Sequence, residues 1–287
     1  MRRFSVPSRG VSDFVVLLIA LNVFLYWVSS TIDDRPELAG VDFLLWLLVP
    51  VVFTIAYLTL GRTWSSAGLR PKIRGQGYWF LFAVTLPIGL SALLLLANQL
   101  LGLVTLRSEQ LSTGVMIGLA GLSGLFVKNI AEEFVFRGFL TGRLAQTVGA
   151  GLQSHLLTGV IWSFWHLVYW TVMLPEGKIA EVSGLPMLVF VMAAFAALSF
   201  QSVLLGELRL ATGSIWAGVV LHTMNNAIFA SLVAAQAVPL GDLRAALLTP
   251  IDIGLVYAGL MGLIGFMLWR RRLGIRSMTF EKYPSVG

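Results

Sequence analysis

Long apolar runs separated by short polar connectors dominate the pattern of this chain. A membrane-spanning helix needs about 20 mostly apolar residues. Eight runs approach or exceed that length, at 14–30, 43–60, 78–101, 114–136, 154–174, 186–205, 213–235 and 252–269. None alternates between apolar and polar residues as the strands of a membrane barrel do. The pattern predicts an all-α polytopic membrane protein with about eight transmembrane helices.

Lysines and arginines are distributed unevenly among the connectors. Most lie on the side that also holds the two chain ends, namely Arg2, Arg3, Arg9, Arg62, Arg70, Lys72, Arg74, Arg137, Arg143, Arg209, Arg270, Arg271, Arg272, Arg276 and Lys282. The opposite side has Arg35, Arg107, Lys178 and Arg244. Because cytoplasmic loops carry the excess of positive charge, we predict that both termini are cytoplasmic, in a plasma membrane of bacterial type. This asymmetry also explains the net charge of +6 without nucleic acid as a partner.

Composition agrees with a lipid environment. The chain is 57% hydrophobic and 12% charged, whereas soluble domains carry about 25% charged residues. Its lack of cysteine excludes disulfides and Cys-ligated zinc or iron–sulfur sites. We predict three regions: N-terminal transmembrane helices with a basic cytoplasmic loop (1–112), a helical core (113–236), and a C-terminal helix with a basic tail (237–287).

Two carboxylates and an arginine interrupt the fourth apolar run, in Ala-Glu-Glu-Phe-Val-Phe-Arg at 131–137. An ionised side chain near the bilayer centre costs about 2.5–3.5 kcal/mol on insertion scales and usually marks a function. Glu133 and Arg137 are four residues apart and can pair on one helix face, whereas Glu132 points about 100° away. This division predicts a supporting pair and a glutamate available for chemistry. Lys128, four residues before Glu132, can also neutralise it, so a purely structural pair stays open.

The fifth run adds a histidine at membrane depth. His166 lies four residues after Trp162, which we expect to line the same helix face. A lone histidine on an apolar face is usually a packing residue, but the glutamates of the preceding helix offer His166 a partner. His155, at the start of the run, is expected to be an interfacial residue.

The seventh run places His222 and Asn226 one helical turn apart, and Asn225 partly shares their face. Such side chains can donate hydrogen bonds to an oxyanion, at about 2.7–4 kcal/mol per donor. Alternatively, they join neighbouring membrane helices. At 1.5 Å per residue, about 16–20 Å separates the basic side of the membrane from Glu132, His166 and His222. The three side chains can therefore meet at one depth, in a cavity open to the cytoplasm.

Three ordered motifs now stand out: Glu132-Glu133-x-x-x-Arg137, an aromatic-x-x-x-His at 162–166, and His222-x-x-x-Asn226. Together they resemble the motifs of the CPBP intramembrane proteases, which include type II CAAX prenyl endopeptidases and bacteriocin-processing or bacteriocin-immunity proteins. The resemblance covers approximately residues 114–235, and Trp162 stands where the family usually has phenylalanine. It implies an intramembrane endopeptidase in which Glu132 and His166 activate a water. His222 and Asn226 would then stabilise the oxyanion, with Glu133 and Arg137 in support.

Cofactor and partner predictions follow from the same residues. One Glu and two His, at 132, 166 and 222, are a donor set that suits a catalytic divalent metal such as zinc. A His-Glu-x-x-His motif is absent and asparagine suits an oxyanion better than zinc, so a metal-free route is slightly favoured and both routes stay open. The expected partners are the lipid bilayer and a membrane-associated peptide or protein, prenylated or not.

Two rival functions remain open. One is a non-catalytic membrane-binding or bacteriocin-immunity protein that keeps the polar cluster for structure. The other is an ion-coupled transporter that uses the glutamates as a relay. The transporter is disfavoured because the membrane acids are predicted to fall on one helix only.

Overall fold

The computed structural model describes residues 7–32, 40–103, 108–174, 177–234 and 254–282. Within these ranges it contains α-helices and no strand, which confirms the all-α prediction. The helices are α1 Pro7–Ile32, α2 Val41–Leu60, α3 Gly77–Leu100, α4 Ser108–Glu133, α5 Thr141–Val148, α6 Leu152–Val168, α7 Lys178–Ser183, α8 Met187–Thr212, α9 Trp216–Ala234 and α10 Leu255–Lys282. A 3₁₀ turn spans Trp64–Ala67, and π-helical turns span Phe134–Leu140 and Tyr169–Met173.

Seven helical runs among the described residues are long and apolar enough to cross a membrane. They are Gly10–Thr31, Val41–Leu60, Gly77–Leu100, Glu109–Val148, Leu152–Met173, Met187–Thr212 and Trp216–Val233. They correspond to the first seven predicted segments, and the chain is therefore a multi-pass membrane protein. The eighth predicted segment forms α10, whose apolar run ends at Arg270 and which is not among the seven. The count of eight and the sidedness stay predictions, and the predicted boundary near residue 236 lies outside the described residues.

Helix α8 continues to Thr212, beyond the end predicted near residue 205. Gly213 terminates it in a left-handed conformation, φ 63°, which glycine adopts without steric cost, and its N–H donates to the Arg209 carbonyl at 3.0 Å. The extension places Glu207 inside the helix, where it is 1% exposed. The predicted end of this apolar run was therefore too early. The prediction that membrane acids fall on one helix stays a prediction, because burial in the protein does not fix the depth of Glu207 in a membrane.

Two π-helical turns adjoin the predicted motif residues. Phe134–Leu140 follows Glu133 directly and links α4 to α5, and all seven of its residues are buried. Tyr169–Met173 begins three residues after His166 and extends α6. A π turn closes hydrogen bonds over five residues instead of four, and such turns occur frequently at functional sites. Each π turn therefore rotates the residues that follow it relative to a regular α-helix, close to Glu133 in one case and to His166 in the other.

The basic connector between α2 and α3 is docked on the junction between α8 and α9. The Ile215 N–H donates to the Gly68 carbonyl at 3.0 Å, and the Trp216 indole donates to the Leu69 carbonyl at 2.7 Å. From α8, the Arg209 guanidinium donates to the Ser66 carbonyl at 2.6 Å. These bonds hold the connector against the helices that carry the candidate site.

Gly159 sets the distance between α6 and α8. A Cβ at this position would lie 2.5 Å from the Ser199 Cα and 3.0 Å from the Ser202 Cβ, so a backbone would have to move. We expect Gly159→Ala to destabilise the protein by about 1–3 kcal/mol through overpacking. Thermal unfolding in detergent micelles measures the change. Gly142→Ala is the matched control, because a Cβ there meets no atom within 4 Å, and equal melting of both variants would contradict the prediction.

Candidate active site

Helices α4, α6 and α9 bring the predicted motif residues together. A cavity of about 190 Å³ lies among them, and its lining includes Lys128, Trp162, His166, His222, Asn225 and Asn226. Glu132, Glu133 and Arg137 are all at most 1% exposed and are not among the residues that line the cavity. The structure therefore gathers the predicted residues into one cluster, with the acids beneath its surface.

Glu132 is held by two donors. Its Oε1 atom forms an ion pair with the Lys128 ammonium, and its Oε2 atom accepts a hydrogen bond from the Trp162 indole at 3.1 Å. Both imidazoles, His166 and His222, lie within electrostatic range of the carboxylate. No direct hydrogen bond between Glu132 and His166 occurs among the described residues. Trp162 contacts both groups, through its indole to Glu132 Oε2 and through its carbonyl to His166 Nδ1.

Glu133 orients a histidine as well as an arginine. Its Oε1 atom accepts hydrogen bonds from Arg137 Nη1 at 3.1 Å and from His222 Nδ1 at 2.9 Å. The guanidinium carbon of Arg137 also lies 4.2 Å from the centre of the Trp162 ring, in a cation–π contact. The predicted Glu133–Arg137 pair is thus present, and it fixes both the ring of His222 and the indole that binds Glu132.

Aromatic rings enclose His166. Its Nδ1 atom donates to the Trp162 carbonyl at 3.0 Å, which leaves Nε2 as the acceptor of the neutral ring. The ring stacks on Trp170 at 5.4 Å, and Trp165 approaches it edge-on at 4.7 Å. Trp46 of α2 also packs edge-on against it at 5.4 Å. A neutral, fixed imidazole with one free basic nitrogen can accept a proton from a bound water.

Asn226 takes part in a buried hydrogen-bond chain that the sequence did not reveal. Its Nδ2 atom donates to Asn129 Oδ1 at 3.1 Å, and Asn129 Nδ2 donates to Thr223 Oγ1 at 3.2 Å. Lys128 donates to the same Asn129 oxygen at 3.3 Å. Asn129 is fully buried and lies three residues before Glu132. That position, a polar residue within the fourth apolar run, was the available signal.

Asn225 faces a different partner. Its Nδ2 atom donates to Gln201 Oε1 at 3.2 Å, and Gln201 belongs to α8. Both amides line the cavity, but Asn226 is the one that is connected to Lys128 through Asn129. The two asparagines therefore provide a matched pair for mutagenesis.

His155 was predicted to be interfacial, and its depth in the membrane stays a prediction. It is fully buried, and its Nε2 atom lies 2.8 Å from Glu207 Oε1. The extension of α8 brings Glu207 alongside the first turns of α6, and this partner was not predicted. This cluster lies outside the cavity described above.

The metal set predicted from Glu132, His166 and His222 is not assembled in the described residues. No group of three His, Asp or Glu side chains is gathered closely enough to hold a metal ion in this part of the chain. The Lys128 ammonium occupies Glu132 Oε1, and its positive charge opposes a cation there. The Nδ1 atoms of both histidines form hydrogen bonds, which leaves their Nε2 atoms as the available ligands. The metal prediction therefore stays untested, and Lys128 would have to leave Glu132 before a cation could bind there.

Comparison with protein families matches residues 114–228 to the type II CAAX prenyl endopeptidase family described as Rce1-like. This match confirms the resemblance stated on the three motifs, all of which lie inside the matched range. It is a family of proteases, and it supports peptidase activity for this chain. Comparison with curated proteins gives no match.

Proposed function

We propose that this protein is an intramembrane endopeptidase that hydrolyses a peptide bond in a membrane-associated peptide or protein. The observation that carries the proposal is the cavity where His166, His222 and Asn226 meet above the buried carboxylate of Glu132. These groups supply the base and the hydrogen-bond donors that peptide hydrolysis needs. The match of residues 114–228 to a protease family supports the same reaction.

The proposed first step is activation of a water molecule. Glu132 would take one proton from a water molecule in the cavity, and the free Nε2 atom of His166 would accept a hydrogen bond from the other hydrogen of that water. For this to occur, the Lys128 ammonium must leave Glu132 Oε1 and turn toward the cavity that it already lines. The hydroxide would attack the substrate carbonyl, and the abstracted proton would pass to the leaving amine.

The proposed second element is an oxyanion site. One amide N–H of Asn226 is directed to Asn129, which fixes the side chain and leaves the other N–H for the substrate oxygen. His222 donates Nδ1–H to Glu133, so its Nε2 atom can donate to an oxyanion only when the ring carries both protons. Asn226 is therefore the donor that does not depend on protonation.

We expect Asn226→Ala to lower kcat about 10²-fold, since an oxyanion donor contributes at least this much. Asn225→Ala should lower it far less, because that amide bonds Gln201 instead of the Asn129 chain. Steady-state kinetics on one cleaved peptide, with thermal unfolding as the check of folding, measures both variants. Equal losses in the two variants would remove Asn226 from the oxyanion role.

The proposal is tested by proteolysis of a library of membrane-associated peptides, prenylated and not, with the purified protein in lipid. Its arms are the wild type, the wild type with excess chelator, and Glu132→Gln. Cleavage that persists with chelator and disappears in Glu132→Gln indicates a metal-free route. Cleavage lost in both arms indicates a required cation, and cleavage by Glu132→Gln at the wild-type rate refutes the proposed base.

A non-catalytic binding or immunity role is the second candidate. The Lys128–Glu132 ion pair favours it, because it neutralises the carboxylate that the hydrolytic route requires. This role expects biological activity to survive when both Glu132 and His166 are replaced at normal expression. Hydrolysis of a library peptide by the wild type, and not by the variant that lacks both side chains, decides against this role.

A further inference from the structure

A second cleft of about 810 Å³ lies between α3, α8 and α10. Its lining includes Tyr78, Trp79, Glu207, Ala211, Arg271 and Arg272, and none of its lining residues belongs to the candidate active-site cavity. It is formed by the start of α3, the end of α8 and the middle of α10. The cleft combines aromatic walls with two guanidinium groups.

The carboxylate in this cleft, Glu207, already accepts hydrogen bonds from neighbouring side chains. Arg272 donates from Nε to Glu207 Oε2 at 2.9 Å and from Nη2 to Oε1 at 2.8 Å, while His155 Nε2 lies 2.8 Å from Oε1. Arg272 Nη2 also donates to the Ala150 carbonyl at 3.1 Å. Because the Arg272 charge offsets that of Glu207, the pair leaves no net negative charge to repel an anion. It also anchors α10 to α8 and so fixes the shape of the cleft.

Arg271 supplies the remaining charge. Its side chain is exposed and lines the cleft, and no carboxylate among the described residues forms an ion pair with it. Tyr78 and Trp79, with ring centres 5.0 Å apart, lie on another wall. Tyr and Trp are enriched where membrane helices reach the headgroup layer. The cleft is therefore net cationic at the end of a membrane helix bundle.

We propose that this cleft binds the headgroup of an anionic phospholipid, with Arg271 contacting the phosphate diester. A guanidinium presents paired N–H donors that match phosphate oxygens. Basic pockets between membrane helices bind anionic lipid headgroups by this chemistry. The aromatic side chains and Leu268 offer apolar surface to the glycerol and the first methylenes. The surrounding bilayer supplies the ligand directly, and the site does not depend on peptide hydrolysis.

The test measures lipid binding to the full-length protein by native mass spectrometry from neutral detergent micelles. The probes are phosphatidylglycerol, phosphatidylcholine with the same acyl chains, and inorganic phosphate. The variants are Arg271→Gln and its matched control Arg270→Gln, which removes an exposed arginine of the same helix that does not line the cleft. Arg271→Lys keeps the charge, and Ala211→Phe fills the cleft without changing charge.

We expect the wild type to bind phosphatidylglycerol more tightly than phosphatidylcholine. Arg271→Gln should weaken phosphatidylglycerol binding about fivefold, the contribution of one basic residue near a headgroup, and Arg271→Lys should restore most of it. Ala211→Phe should weaken binding with all charges in place, and Arg270→Gln should not weaken it. Equal weakening by Arg270→Gln and Arg271→Gln, or no change in either, overturns the proposal. Inorganic phosphate that competes at the affinity of the lipid also overturns it, because the site then binds a free anion.

Discussion

Glu132→Gln is expected to reduce peptide hydrolysis about 10³–10⁴-fold, at the upper end of what a general base contributes. The expected effect is large because no other carboxylate can replace Glu132 as the base. Glu133, the neighbouring carboxylate, already accepts hydrogen bonds from Arg137 and His222. Glutamine keeps the shape and can still accept the Trp162 indole hydrogen, and the Lys128 side chain that loses its partner is 23% exposed, so the thermal unfolding temperature should change little. Initial rates on a peptide selected from the library measure the loss.

A double variant separates catalysis from a structural ion pair. Lys128→Met combined with Glu132→Gln removes both charges of the pair, so no uncompensated charge is left buried. If the pair serves structure alone, this variant should be stable and fully active in the biological assay. We expect it to be folded and inactive. Hydrolysis at more than a tenth of the wild-type rate would contradict a catalytic Glu132.

Arg137→Ala is expected to destabilise the protein by about 3–5 kcal/mol, because it leaves the Glu133 carboxylate buried without its cation. Both side chains of this pair are at most 1% exposed, so solvent does not screen the pair. The variant also removes the guanidinium that stacks 4.2 Å from the Trp162 ring. Unfolding in detergent micelles, followed by circular dichroism, measures the change in stability. A loss under about 1 kcal/mol would show that the pair behaves as a surface salt bridge.

Removal of the second charge should reverse part of this loss. Glu133→Gln in the Arg137→Ala background leaves no unpaired carboxylate, and the amide oxygen can still accept the hydrogen from His222 Nδ1. The double variant should therefore be more stable than Arg137→Ala alone. If the two substitutions acted independently, their losses would add and the double variant would be the less stable one. If the two losses simply add, Arg137 stabilises the core mainly through Trp162.

Relations within one helix could be predicted from the sequence. The Glu133–Arg137 and Lys128–Glu132 pairs both follow from a spacing of four residues, and both are present. The apolar runs predicted the helices within a few residues in most cases, because the bilayer demands a long stretch of apolar side chains. The end of α8 was missed because a charged residue such as Glu207 is typical of a connector. The sequence does not show that partners allow it to lie buried inside a helix.

The sequence by itself determined that this chain is a bundle of membrane helices and which three motifs carry the candidate site. Only the tertiary structure decided their partners: the Trp162 indole on Glu132, His222 on Glu133, Asn129 behind Asn226, and His155 with Glu207. The physical reason is that hydropathy cannot distinguish a lipid-facing apolar surface from a protein-facing one. Helix rotation and register, which the π turns after Glu133 and His166 alter, then set which side chains meet.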